Sequence, residues 1–176
     1  MILELKRTPG IYLVGFMGSG KSTVGKMLSD KIGWPFVDVD EEIEAERKTS
    51  IASLFEDLGE PEFRVIETEA IRTRVNKIKA GHPMVLALGG GAFAQSVNIE
   101  MLSNNGVSIW LDVAFPVVRK RVDLATHRPL ARDPQKFEEL FYARREYYAK
   151  ADYRIEVFDD NSRAALQAIL KLPIFD

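Results

Sequence analysis

Short, continuously apolar runs alternate along this chain with longer stretches in which apolar residues return every three or four positions. The runs at 11–16, 36–39, 84–88, 107–111 and 153–157 have strand length, and their unbroken apolarity suits strands covered on both faces. The longer stretches predict helices over 21–32, 41–48, 51–58, 61–79 and 97–103. Further helices open at Pro116, end near Lys150, and run over 163–172. Gly33, Gly59 and Gly81 stand where helices stop, and Ser50 stands where one would be capped. Pro116 suits a helix start, where its missing N–H costs little. Residues 126–134, with two prolines and several arginines, predict an irregular excursion. Strands separated by helices predict an α/β fold in which a parallel sheet is flanked by helices. There is no repeat, low-complexity tract or linker.

Composition changes this picture little. The 176 residues suit one domain and are 46% hydrophobic and 28% charged, as in ordinary globular proteins. The absence of cysteine excludes disulfides, thiolate metal sites and cysteine nucleophiles, and two histidines are too few for a polyhistidine metal site. A net charge of −2 argues against nucleic acid as a partner. Basic residues followed by Ile11-Tyr12-Leu13-Val14 superficially resemble a signal peptide. The run is short, however, and leads into a glycine-lysine motif rather than a cleavage site. No apolar stretch is long enough to span a bilayer. The expectation is a cytoplasmic protein without a membrane partner, acting as a monomer.

The motif after the first strand carries the chemistry. Gly15-Phe-Met-Gly-Ser-Gly-Lys21-Ser22 matches G-x-x-x-x-G-K-[ST] between a predicted strand and a predicted helix, the context of a triphosphate-binding loop. Its N–H groups can form an anion cradle continued by the helix N-terminus. Lys21 can meet the β- and γ-phosphates, and the Ser22 hydroxyl a magnesium ion. Gly18, Ser19, Gly20, Lys21, Ser22 and Thr23 are therefore the candidate ATP-binding residues.

Three features point to an acceptor. Asp38 and Asp40 are two apart on a predicted strand end and would face one side. One could hold magnesium through water and the other could accept a hydrogen bond from an attacking hydroxyl. Equally, Asp40 could cap the next helix while Asp38 is solvated. Arg64 and Glu67 share a helix face, either as a surface ion pair or as an oriented guanidinium for a carboxylate. Gly89-Gly90-Gly91 would let a ligand approach the backbone, or form a plain loop.

Taken in order, the phosphate loop, Asp38-x-Asp40, Ser50-Ile51 to Leu54-Phe55, Gly59-Glu60 to Phe63-Arg64-x-x-Glu67, the triple glycine and Arg128-Pro129-Leu130 resemble the shikimate kinase family over roughly residues 11–155. The resemblance implies a three-layer, nucleoside-monophosphate-kinase-like fold with a five-stranded parallel sheet. It also implies an acceptor-binding segment at about 40–80 and a mobile lid at about 122–136, within a single kinase domain. The implied reaction moves the γ-phosphoryl group of ATP, with Mg2+, to the 3-hydroxyl of shikimate. Asp40, Arg64 and Gly90, with Gly89 and Gly91 beside it, would contact shikimate. Glu67 would orient Arg64, and Asp38 with Ser22 would attend the magnesium. Lys21, Asp40 and Arg128 are the implied catalytic residues, Arg128 reaching the ATP phosphates from the lid.

One segment departs from the pattern. The family's R-x-x-x-Y-x-x-x-A-D is here Arg144-Arg-Glu-Tyr-Tyr148-Ala-Lys-Ala151-Asp152. Arg144 fits if one residue is deleted after Tyr148, and is preferred as the carboxylate ligand, with Arg145 the other candidate. An adenine contact is expected within 161–163. The rivals are another small-molecule kinase, such as a gluconate or nucleotide kinase, and a nucleotide-dependent switch. A guanine switch would carry N-K-x-D, which is absent. Asp112 is either the magnesium acid of such a switch or a strand-end acid.

Phosphoryl transfer asks chiefly for positioning and charge stabilisation, and an inserted arginine contributes about 10³–10⁵ in rate, or roughly 4–7 kcal/mol of barrier. Arg128→Ala is expected to lower turnover by orders of magnitude while the circular dichroism of the fold persists. Turnover above about a tenth of the unsubstituted protein would remove Arg128 from the mechanism.

Overall fold

A computed structural model describes residues 10–124 and 133–175. Its five strands are β1 (Gly10–Val14), β2 (Phe36–Asp38), β3 (Met84–Ala87), β4 (Val107–Val113) and β5 (Tyr153–Val157). They form one parallel sheet in the order β2-β3-β1-β4-β5. The central strand β1 is buried at every position, which is why its sequence shows no polar alternation. Edge strand β5 does alternate, and it exposes Arg154 and Glu156.

Eight helices are described: α1 (Lys21–Ile32), α2 (Val39–Arg47), α3 (Ile51–Leu58), α4 (Glu60–Lys79), α5 (Ser96–Ser103), α6 (Phe115–Leu124), α7 (Pro134–Tyr148) and α8 (Ser162–Leu170). The alternation of strands and helices therefore folds as its periodicity indicates. Element ends differ by one or two residues, with one consequential case. The second strand stops at Asp38, and Val39 already begins α2. The two acids thus do not share an extended segment. Asp38 is the N-cap, its side chain accepting from the Glu41 N–H at 3.1 Å, while Asp40 sits in the first helical turn. Capping by Asp40 with a solvated Asp38 is corrected accordingly: the N-cap needs extended backbone, and Asp38 has it, with φ −90° and ψ 116°.

Other signals act as read. Ser50 caps α3 through the Ser53 N–H at 3.1 Å. Gly33 and Gly59 end α1 and α3 at positive φ, and Gly59 at once begins α4, with Pro61 in its first turn. Two contacts tie α2, α3 and α4 together. The Glu44 carboxylate accepts from the Ile51 N–H at 3.0 Å, joining α2 to α3. Arg74 of α4 grips Glu42 of α2 with two nitrogens. Pro134 opens α7 instead of closing an irregular stretch, because Asp133 caps it at Lys136 N. The lid span expected at about 122–136 is helical where described, at Val122–Leu124 in α6 and from Pro134 in α7. Thr126, His127, Arg128 and Arg132 lie outside the described residues.

Between the sheet and α7 the core is aromatic. Phe16, from the phosphate loop, meets Phe137 and Phe141 with ring centroids 5.3 Å apart in both cases. Phe115 packs 5.1 Å from Phe141. The loop is thereby fastened to the helix that carries Arg144.

The start of β1 and the turn before β4 cross closely. Tyr12 donates to the Asn105 carbonyl at 2.6 Å, and a β-carbon on Gly106 would lie 2.4 Å from the Gly10 carbonyl oxygen. Gly106→Ala must displace backbone, so it is expected to destabilise by about 1–3 kcal/mol. Thermal unfolding should drop by several degrees, on the order of 2–4 °C per kcal/mol. An unchanged melting temperature would mean that this crossing tolerates a side chain.

Candidate active site

Three candidate elements lie at the carboxyl ends of strands, where ligands bind in open α/β sheets. The phosphate loop leaves β1, Asp38 ends β2 and the triple glycine follows β3. In the loop Gly18 and Gly20 take φ of 75° and 86°, a left-handed region that a side chain would resist. Among the described residues no side chain caps α1, and its first turn holds no acid, which suits its N-terminus to an anion. Lys21 lies in the loop, donating to the Gly15 and Phe16 carbonyls at 2.9 Å each. Ser19 is buried and Thr23 exposed. Ser22 Oγ donates to Asp38 Oδ2. A hydroxyl beside the loop and a strand-end carboxylate are thus adjacent, and both offer hard oxygen donors of the kind magnesium prefers.

The side expected to take the acceptor is built on the glycines. A β-carbon at Gly89 would lie 2.7 Å from Asp40 Oδ1 and 2.9 Å from Glu67 Oε2. One at Gly90 would lie 3.3 Å from Arg144 Nη1 and 3.3 Å from the Met17 N–H nitrogen. One at Gly91 would lie 2.1 Å from Arg64 Nη2. Three residues without side chains are therefore the surface against which two acids and two guanidinium groups are packed, beside the phosphate loop. Arg64 Nη1 donates to the buried Glu67 at 2.7 Å and Nη2 to the exposed Glu60 at 3.2 Å. Its guanidinium carbon is 5.5 Å from the Phe55 ring centre and 5.4 Å from that of Phe63. Arg144 lies 5.9 Å from the ring centre of Phe16. Arg64 is thus no surface pair, and its orientation is fixed from beneath by aromatic faces.

Sequence reasoning gave no role to two residues of the site. Tyr148, buried beside Arg144, donates its hydroxyl to the Gly90 carbonyl. It stands four positions after Arg144, on the same helix face, a signal that was available. Arg121 donates to the Gly18 carbonyl at 2.9 Å and to Asp160 at 2.7 Å, bringing α6 and the segment after β5 onto the phosphate loop. Nothing in its local sequence marks it. Asn161, within the expected adenine region, caps α8 through Ala164 N.

The comparisons with known proteins agree with this fold. A family model described as shikimate kinase matches residues 17–172. A shikimate kinase of Persephonella marina is 43% identical over 146 residues, 82% of this chain and 87% of that relative. One from Caulobacter vibrioides is 40% identical over 167 residues, 93% and 82% of the two chains. The solved structure of an Acinetobacter baumannii shikimate kinase in complex with shikimate superposes with a TM-score of 0.86. It is 35% identical and covers 95% of this chain and 93% of its own. The chain belongs to the shikimate kinase family.

The two candidates for the acceptor carboxylate, Arg144 and Arg145, take different partners. Arg144 reaches the glycine loop. Arg145 turns to Asp112, which it grips with both terminal nitrogens. Asp112 is thereby a buried partner of Arg145 and Arg154.

The fold raises the pKa of Asp40 to about 7, first through burial and then through the neighbouring charges of Glu67 and Asp38, with Lys21 opposing them. Burial also raises Glu67, although Arg64 pulls the other way. Asp40 Oδ1 is buried without a hydrogen-bond partner among the described residues. A carboxyl raised in the fold binds its proton more tightly there than in the unfolded chain. Stability therefore falls as pH climbs from the ordinary value of 3.8 to about 7. Asp40→Asn removes this penalty. With nucleotide and divalent cations absent, the variant is expected to melt a few degrees above the unsubstituted protein near pH 8, at roughly 2–4 °C per kcal/mol. The two should converge toward pH 4. A constant difference across that range would show that Asp40 is ionised at little cost.

Proposed function

We propose that this chain is an ATP-dependent phosphotransferase that moves the γ-phosphoryl group to the 3-hydroxyl of shikimate, giving shikimate 3-phosphate and ADP. One observation carries the reading: two guanidinium groups and a carboxylate of raised pKa converge on a side-chain-free loop beside the phosphate loop. Two arginines 80 positions apart in sequence, each laid over an aromatic ring, suit a planar acceptor carboxylate. Asp40 aligns the acceptor hydroxyl and, when ionised, can take its proton. Its raised pKa suits a group that changes protonation near neutral pH. Glu67 holds Arg64 in place.

On the nucleotide side, Gly18, Ser19, Gly20 and Thr23 line the ATP phosphates through the loop and the first turn of α1. Lys21 and Arg128 offset charge on the transferred group. Ser22 and Asp38 would hold the magnesium ion, directly or through water. When bound, the metal neutralises phosphate oxygens. Gly89, Gly90 and Gly91 let the acceptor lie against the backbone, with Arg144 on its carboxylate.

The test is ADP release by the purified protein with ATP and Mg2+, given shikimate, gluconate or nucleoside monophosphates in turn. Turnover is expected with shikimate alone. Arg64→Ala should lower kcat/KM for shikimate by about 10- to 150-fold, the size of a lost hydrogen bond to a charged group. Comparable turnover with gluconate would overturn the assignment of the acceptor.

A further inference from the structure

Arg144 and Arg145 are successive residues of α7, so their side chains leave the helix about 100° apart. Only one rotation of the helix can aim Arg144 and Tyr148 at the glycine loop, and something must fix it. Asp112, in β4, is almost wholly buried, with its side chain 6% exposed. Both its oxygens accept from Arg145, and Oδ2 also accepts from Arg154 Nε at 2.8 Å. The guanidinium groups of Arg145 and Arg154 lie 5.0 and 5.2 Å from the centre of the Trp110 ring. Arg145 also lies 5.7 Å from the centre of the Phe141 ring. A planar, two-bonded pair of this kind restrains angle as well as distance. It ties α7 to the sheet one residue from Arg144 and three from Tyr148.

We propose that Arg145 is a positioning residue for the acceptor carboxylate: its clamp on Asp112 sets the rotation of α7 that turns Arg144 toward the glycine loop. This rests on the functional reading above.

Arg145→Gln breaks the clamp but leaves Asp112 paired with Arg154, so no buried charge is stranded and the fold persists. The variant is expected to raise KM for shikimate by about tenfold while KM for ATP stays within about twofold, the pattern of lost acceptor binding. Arg145→Lys, which keeps the charge without the two-bonded geometry, should fall between it and the unsubstituted protein. Should the glutamine variant fail to fold, the lysine variant reads the same split. Adding Asp112→Asn to Arg145→Gln should raise the shikimate KM little further, since both act through one contact. An unchanged shikimate KM, or equal rises for both substrates, overturns the proposal, as does a loss of thermal stability without a kinetic split. If the unsubstituted protein shows no shikimate-dependent ADP release, the functional reading fails and this inference with it. If that protein turns over and the variants match it, this inference alone falls.

Discussion

The loop after β3 carries no side chains, and the site takes its form from what moves into the space that leaves. Asp40 and Glu67 press toward Gly89, Arg144 toward Gly90 and Arg64 toward Gly91. Two acids with pKa values raised by burial and two guanidinium groups nearly balance in charge. Each group alone would be expensive to desolvate, and together they are tolerable. Asp40 Oδ1 and Arg64 Nε are the exceptions, each buried without a hydrogen-bond partner among the described residues. Unsatisfied polar groups of this kind collect where a ligand is to complete them.

Much of the remaining architecture holds that arrangement still. Phe55 and Phe63 lie close to the guanidinium of Arg64, as Phe16 does to that of Arg144. Phe16 belongs to the phosphate loop and also packs on α7, so the donor and acceptor sides share one aromatic layer. The Arg74–Glu42 pair and the Glu44–Ile51 bond fasten α2, α3 and α4 into one unit, which keeps Asp40 and Arg64 in register. Positioning of this kind suits phosphoryl transfer, where little covalent chemistry is asked of the protein.

The chain itself determined the strand–helix alternation, the phosphate loop and several caps, because each rests on residues near one another. Apolar periodicity fixes which face is buried, glycine permits positive φ at 18 and 20, and Ser50 caps the helix that begins beside it. Tertiary structure decided which charged residues meet. Arg144 and Arg145 are indistinguishable by local sequence, and only their contacts with Gly90 and Asp112 separate them. The same holds for Asp38, which becomes the helix cap because β2 ends one residue sooner than its apolar run. Arg121, 103 positions from Gly18, joins the loop only through the fold. Local conformation follows from torsional preference and short-range bonds, whereas a charge's role depends on partners that the chain brings together from far away, and no neighbouring residue encodes them.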